Sequence, residues 1–279
     1  MTASREVPRW PVRGNAVALV ALPVVLALVH YVIPPSLHQR LVFHLDHPTL
    51  LAAWGSSYVH LSDHHLTSNL VGYAVAVVPA WTIAAYRGHR RRFWLALLAF
   101  LLFVPFVATG VSYVVFARYF RVSGANFLGF SAVVAALFGL LFAQVVAWVA
   151  ALTTRLQGVA VGVLISLLGL TWVLQRGGDL PLWLVGVVAL GVVALSYVVL
   201  PGWVWRSPDR VGNALARYNP EVPLLFVGAS FVVVSVPMLV EVQWVHAHSA
   251  SNVFAHVGGF VFGVVWGLVE GMFRTAALK

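Results

Sequence analysis

The run Ser123-Gly124-Ala125-Asn126-Phe127-Leu128-Gly129-Phe130-Ser131-Ala132 carries a polar, glycine-marked loop into a long apolar segment, with a serine at the point of entry. From residue 127 to 152 the chain is apolar enough, and long enough at about 1.5 Å per helical residue, to cross the roughly 30 Å hydrocarbon layer of a bilayer. Ser131 is the candidate nucleophile. A serine hydroxyl is a poor nucleophile by itself, so this reading requires a base within hydrogen-bond reach and donors aimed at the developing oxyanion.

Composition sets the setting for that serine. Of 279 residues 61% are hydrophobic and only 9% charged, and mean hydropathy is +0.92, which describes an integral membrane protein rather than a soluble domain. The first apolar run lacks a small-residue cleavage site and is followed by others, so it reads as a retained helix and not a signal peptide. The absence of cysteine excludes disulfides, thiolate metal sites and a cysteine nucleophile. In a soluble protein the net charge of +9 would suggest nucleic acid; here the basic residues sort by loop, and no nucleic acid partner is expected. Lys279 is the only lysine, a preference for arginine that fits a GC-rich genome and a prokaryotic plasma membrane.

Eight multi-pass spans are expected, at about residues 15–33, 61–86, 93–116, 127–152, 159–174, 182–200, 223–240 and 252–272. Pro34 and Pro35 stop the first. Residues 36–60, of mixed polarity, are expected to lie in the membrane interface. The run 159–174 is short for a span. Pro105 and Gly110 fall inside the third, which a membrane helix tolerates when neighbours satisfy the freed backbone groups. With the N-terminus cytoplasmic, thirteen of the seventeen basic residues are inside and four, Arg40, Arg118, Arg121 and Arg176, outside. That is the positive-inside bias.

The same parity puts the starts of the second, fourth and eighth spans on the outer side. Two further stretches then share a depth with Ser131: His60-Leu61-Ser62-Asp63-His64-His65-Leu66-Thr67-Ser68-Asn69 and Ala255-His256-Val257-Gly258-Gly259-Phe260-Val261-Phe262-Gly263. Ser131, Ala135 and Gly139 form a small-residue stripe, and His256, Gly259 and Gly263 share a face, so the two helices are expected to approach backbone to backbone. Each element has a plainer reading. Serine in a membrane helix bonds back to its own turn, a His-x-x-x-Asn pair can fasten helices together, and Gly-x-x-x-Gly serves packing. An ionisable His256 inside an apolar span is the harder one to explain without function.

As a set, the His65-x-x-x-Asn69 helix, the Gly129-x-Ser131 turn and Ala255-His256-x-x-Gly259-x-x-x-Gly263 resemble the rhomboid family of intramembrane serine proteases. The resemblance implies one all-α polytopic domain over residues 1–279, a six-helix bundle with an extra helix pair, about 159–200, inserted before the last two. It implies Ser131 as nucleophile and His256 as general base, with His65, Asn69 and the Ser131 N–H as oxyanion hole. Gly129, Gly259 and Gly263 would support the site. Glu270 matches a structural carboxylate position, and His60 a histidine that stabilises the first loop. The family needs no cofactor and no metal. Its substrates are transmembrane protein segments that enter from the surrounding membrane lipid, and residues 223–240 with the loop 241–251 would form gate and cap.

Three departures stand out: Ala132 in place of a glycine, Ala135 where relatives carry a tyrosine stacked on the histidine, and the extra spans. Ala132 is a small change that many members show; Ala135 and the extra spans keep open a non-catalytic relative that binds membrane clients. A histidine-rich metal-binding protein is a further alternative, since all eleven histidines but His89 fall on the outer side.

Overall fold

The computed structural model describes residues 12–176, 190–191, 221–239 and 252–276. The expected span 182–200 lies outside the described residues except at 190 and 191, and the expected cap, 241–251, lies outside them entirely.

The described chain is almost wholly helical. Its helices are α1 (Val12–Val32), α2 (Pro35–Leu41), α3 (Leu50–Gly55), α4 (Asp63–Tyr86), α5 (Arg90–Ser112), α6 (Ser131–Leu152), α7 (Arg155–Arg176), α8 (Glu221–Leu239) and α9 (Val253–Ala276). Among the described residues five apolar stretches are long enough to cross a membrane: Asn15–Val32, Asp63–Tyr86, Arg90–Tyr119, Ser131–Leu152 and Arg155–Trp172. Shorter apolar stretches lie at Glu221–Val234 and Val253–Val269.

Two expected boundaries are corrected. The span expected at 159–174 begins at Arg155, which makes it long enough to cross after all. Its first turn is polar, and Thr154 starts it by accepting from Gln157 N–H at 3.2 Å, so an apolar-run criterion misses that turn. The fourth helix begins at Ser131 and not at 127, because Asn126–Phe127 (β2) pairs antiparallel with Phe43–His44 (β1). A backbone committed to a ladder cannot also start a helix.

Helix α6 is the hub, in contact with α4, α5, α7, α8 and α9. Its contact with α9 is made through small residues. A Cβ on Gly259 or Gly263 would overlap the carbonyls of Ala132 and Ala136, and one on Gly139 the carbonyl of Phe260. Lipid tails are as apolar as side chains, so such helices associate through close packing rather than hydrophobic exclusion. The contact row on α6 runs Ala132, Ala136, Gly139, Ala143 and differs from the expected stripe Ser131, Ala135, Gly139. Steps of four drift by about 40° each on a helix of 3.6 residues per turn. Alternating fours and threes stay on one face, and the two rows meet at Gly139.

Internal prolines fasten the bundle from the side. Proline at position i leaves the carbonyl of i−4 without its helical donor. Pro105 frees Leu101, whose oxygen accepts from Tyr58 Oη at 2.5 Å and Trp54 Nε1 at 3.1 Å. Pro23 likewise frees Leu19, which accepts from Tyr73 Oη at 3.1 Å. Residues 36–60 are thereby held against α5 as short helices, a strand and a 3-10 turn, with Phe43, Leu45, Ala52 and Phe127 forming a small core of their own. Leu50 and Leu51 stay exposed.

Candidate active site

Ser131 is the first residue of α6, and His256 lies in the first turn of α9. Their side chains meet across 125 residues of sequence, with Ser131 Oγ 2.7 Å from His256 Nε2. The histidine is buried, at 7% exposure, and the serine is half-buried. At 2.7 Å an imidazole unprotonated at Nε2 can accept the serine proton directly.

The loop that delivers Ser131 is anchored at several points. Leu45 N–H donates to Ala125 O at 3.0 Å, Gly124 N–H to Asp46 Oδ2 at 2.7 Å, and His44 Nδ1 to Asn126 Oδ1 at 2.6 Å. Gly129 N–H donates to Ser56 O at 2.8 Å. Gly129 has φ +116°, where a Cβ is strained, and that Cβ would stand 2.6 Å from Cε1 and Nε2 of His65. Glycine is needed there for two separate reasons.

His65 and Asn69 thus flank the serine loop. Ser62 caps α4 by accepting from His65 N–H at 3.2 Å, and the helical spacing then sets His65 and Asn69 on one face. Asn69 is buried and its Nδ2 donates one hydrogen to His65 O at 2.9 Å. An amide carries two such hydrogens, which leaves a second for another acceptor. The position that a Gly129 Cβ would take is 3.8 Å from Asn69 Nδ2. Ser131 N–H belongs to the opening turn of α6, whose first amides have no acceptor within the helix. The expected oxyanion donors His65, Asn69 and Ser131 therefore surround one short segment, residues 129–131.

Gly259 and Gly263 set the approach of α9 to α6, as described above. Glu270 falls within α9, but its side chain lies outside the described residues. Ala135 is fully buried in α6. An apolar cleft of about 440 Å³ runs between α6, α7 and α9 beside Phe142, Gly162 and Val264. Ser131 and His256 do not line it.

Beside this site lies a group of histidines whose mutual contacts the sequence did not show. His30 Nε2 donates to Asp63 Oδ1 at 3.0 Å, and His38 Nε2 to His60 O at 3.1 Å. The ring of His60 is 6.3 Å from that of His30 and 5.2 Å from that of His65. His60 is 1% exposed, and neither ring nitrogen has a hydrogen-bond partner among the described residues. Burial, followed by the neighbouring His65, His30 and His38, pushes its pKa down from 6.5 to about 3. Except for His60 and His65, these contacts join positions more than twenty residues apart, and the sequence offered their residue type and expected side but not their contact. Among the described residues no group of three or more histidines and carboxylates is placed to hold a metal ion.

Compared with protein-family models, with curated proteins and with solved structures, the chain matches none.

Proposed function

We propose that this chain is a rhomboid-type intramembrane serine protease that hydrolyses peptide bonds in or near transmembrane segments of other membrane proteins. The observation that carries the reading is the 2.7 Å contact between Ser131 Oγ and His256 Nε2 at the N-terminal ends of two apolar helices. In this mechanism His256 takes the Ser131 proton as Oγ attacks the scissile carbonyl, then returns it to the leaving amine. Water, activated by the same imidazole, hydrolyses the acyl-enzyme. His65, Asn69 and the N–H of Ser131 stabilise the oxyanion, a stabilisation worth most in a site of low dielectric.

The proposed topology is a six-span rhomboid bundle, α1, α4, α5, α6, α8 and α9, with α7 and the run 182–200 as the added pair. The N-terminus is cytoplasmic and the dyad near the outer face of a prokaryotic plasma membrane. Clustering of His65, Asn69, Gly129, Ser131 and His256, drawn from three helices and the loop before α6, supports this over three unrelated packing motifs.

Reconstitution in liposomes with a model transmembrane substrate tests it. Cleavage by wild type and none by Ser131→Ala or His256→Ala is expected. Folded wild type that binds the substrate without cleaving it would replace the protease with the client-binding reading.

A further inference from the structure

A general base must be held by something beyond the nucleophile it serves. The first turn of α9 carries His256 and is fastened in a way its own capping does not require. Asn252 precedes that helix, and its Oδ1 accepts from Ala255 N–H at 3.1 Å. Its backbone carbonyl accepts from Ala255 N–H at 3.0 Å and from His256 N–H at 3.3 Å. Those bonds complete an ordinary N-cap. The other half of the amide goes elsewhere: Asn252 Nδ2 donates to Ser112 Oγ, 140 residues away at the outer end of α5.

Ser112 is suited to receive it. The residue is fully buried, and its own hydroxyl hydrogen is committed to Ala108 O at 2.6 Å. Only its oxygen lone pairs remain, and an amide N–H is the complementary donor. A second contact fastens the same turn. The ring of Phe254, two residues before His256, lies 5.7 Å from that of Phe116 and 6.2 Å from that of Phe120, on and just after the π-helical stretch Tyr113–Tyr119 that continues α5.

We infer that Asn252 is a positioning residue for the proposed protease reaction: its amide, donated to Ser112, holds the first turn of α9 at the height where the His256 imidazole meets Ser131. Below that turn, Gly259 against Ala132 fixes the lateral approach of α9 to α6. The tether fixes what this leaves free, movement along and about the helix axis at its outer end. Displacement of a catalytic group by about 1 Å can cost up to about a hundredfold in rate. The inference rests on the dyad reading above.

Asn252→Ser tests it, because serine is a good N-cap that lacks the second arm. Turnover of a model transmembrane substrate in liposomes, melting temperature, and labelling by a fluorophosphonate serine probe are measured for wild type, Asn252→Ser, Ser112→Ala, the double variant and Ser131→Ala. The expected result is a fall in kcat of about tenfold to a hundredfold in both single variants, with KM and melting temperature held. The double variant should be no slower than either single, as for two halves of one contact. Wild-type kcat in Asn252→Ser, or a fall that merely follows a lowered melting temperature, would overturn the tether while leaving the dyad intact. A folded wild type that neither takes label nor cleaves overturns the dyad, and the tether with it.

Discussion

Two buried histidines at the same end of the bundle differ in almost everything except burial. His256, in the first turn of α9, has a serine oxygen 2.7 Å from its Nε2. His60, just before α4, is more deeply buried, yet among the described residues both its ring nitrogens lack a partner, and its ring lies beside those of two other histidines. Burial alone makes an imidazole neutral and costly to protonate. A nucleophile placed at hydrogen-bond distance makes the neutral ring useful as a base. His65 stands between the two, its ring 5.2 Å from that of His60 and beside Gly129 of the serine loop.

The largest test of that contrast removes each histidine in turn. His256→Ala should lower turnover by about 10³-fold or more, as loss of a base that acts with its nucleophile does. His60→Leu should leave it at the wild-type order of magnitude. Initial rates on a liposome-embedded substrate decide this, and equal losses in the two variants would dissolve the distinction. Asn69→Ala should cost about 10²-fold in kcat, as expected for one oxyanion donor, with KM little changed.

Smaller effects bear on stability. Gly129→Ala places a methyl at φ +116° and against the His65 ring, and should destabilise the fold by about 1–3 kcal/mol on strain alone. Thermal unfolding in detergent measures it.

The last test is the pH dependence of His60. Its folded pKa, about 3, lies below the ordinary 6.5. The unfolded chain therefore binds a proton between those values that the folded chain does not. Stability is fully present above pH 6.5 and is lost as pH falls through that window. Melting temperatures from pH 7.5 to 4 should show a shallower decline in His60→Leu than in wild type. At pH 7.5 the leucine variant should lie within about 1.5 kcal/mol of wild type, because an apolar side chain replaces an unpaired polar one at similar volume.

What could be read beforehand follows the physics of each element. Long apolar runs announce α1, α4, α5 and α6 because a membrane demands continuous apolarity. His65, Asn69, Ser131 and His256 were legible as polar residues that share a depth, but depth says nothing of contact. The approach of α6 and α9 was legible in kind, through their small residues, and missed in register, since the true row steps by four and three. The pairing of β1 with β2 left no trace, for strands of two residues have no periodicity. Pro105 was visible as a broken ladder position, whereas the donors that repair it, Tyr58 and Trp54, come from more than forty residues upstream. Asn252 and Ser112 are individually unremarkable polar residues, and only their juxtaposition gives either a meaning.

The most direct measurement is to find which residue a fluorophosphonate probe modifies. Detergent-solubilised protein is labelled, digested and mapped by mass spectrometry, for wild type, Ser131→Ala and His256→Ala. A phosphonyl adduct on Ser131 in wild type, absent from both variants, is the predicted result. An adduct on a different serine, or one on Ser131 that persists at the wild-type rate in His256→Ala, would contradict an activated Ser131–His256 dyad.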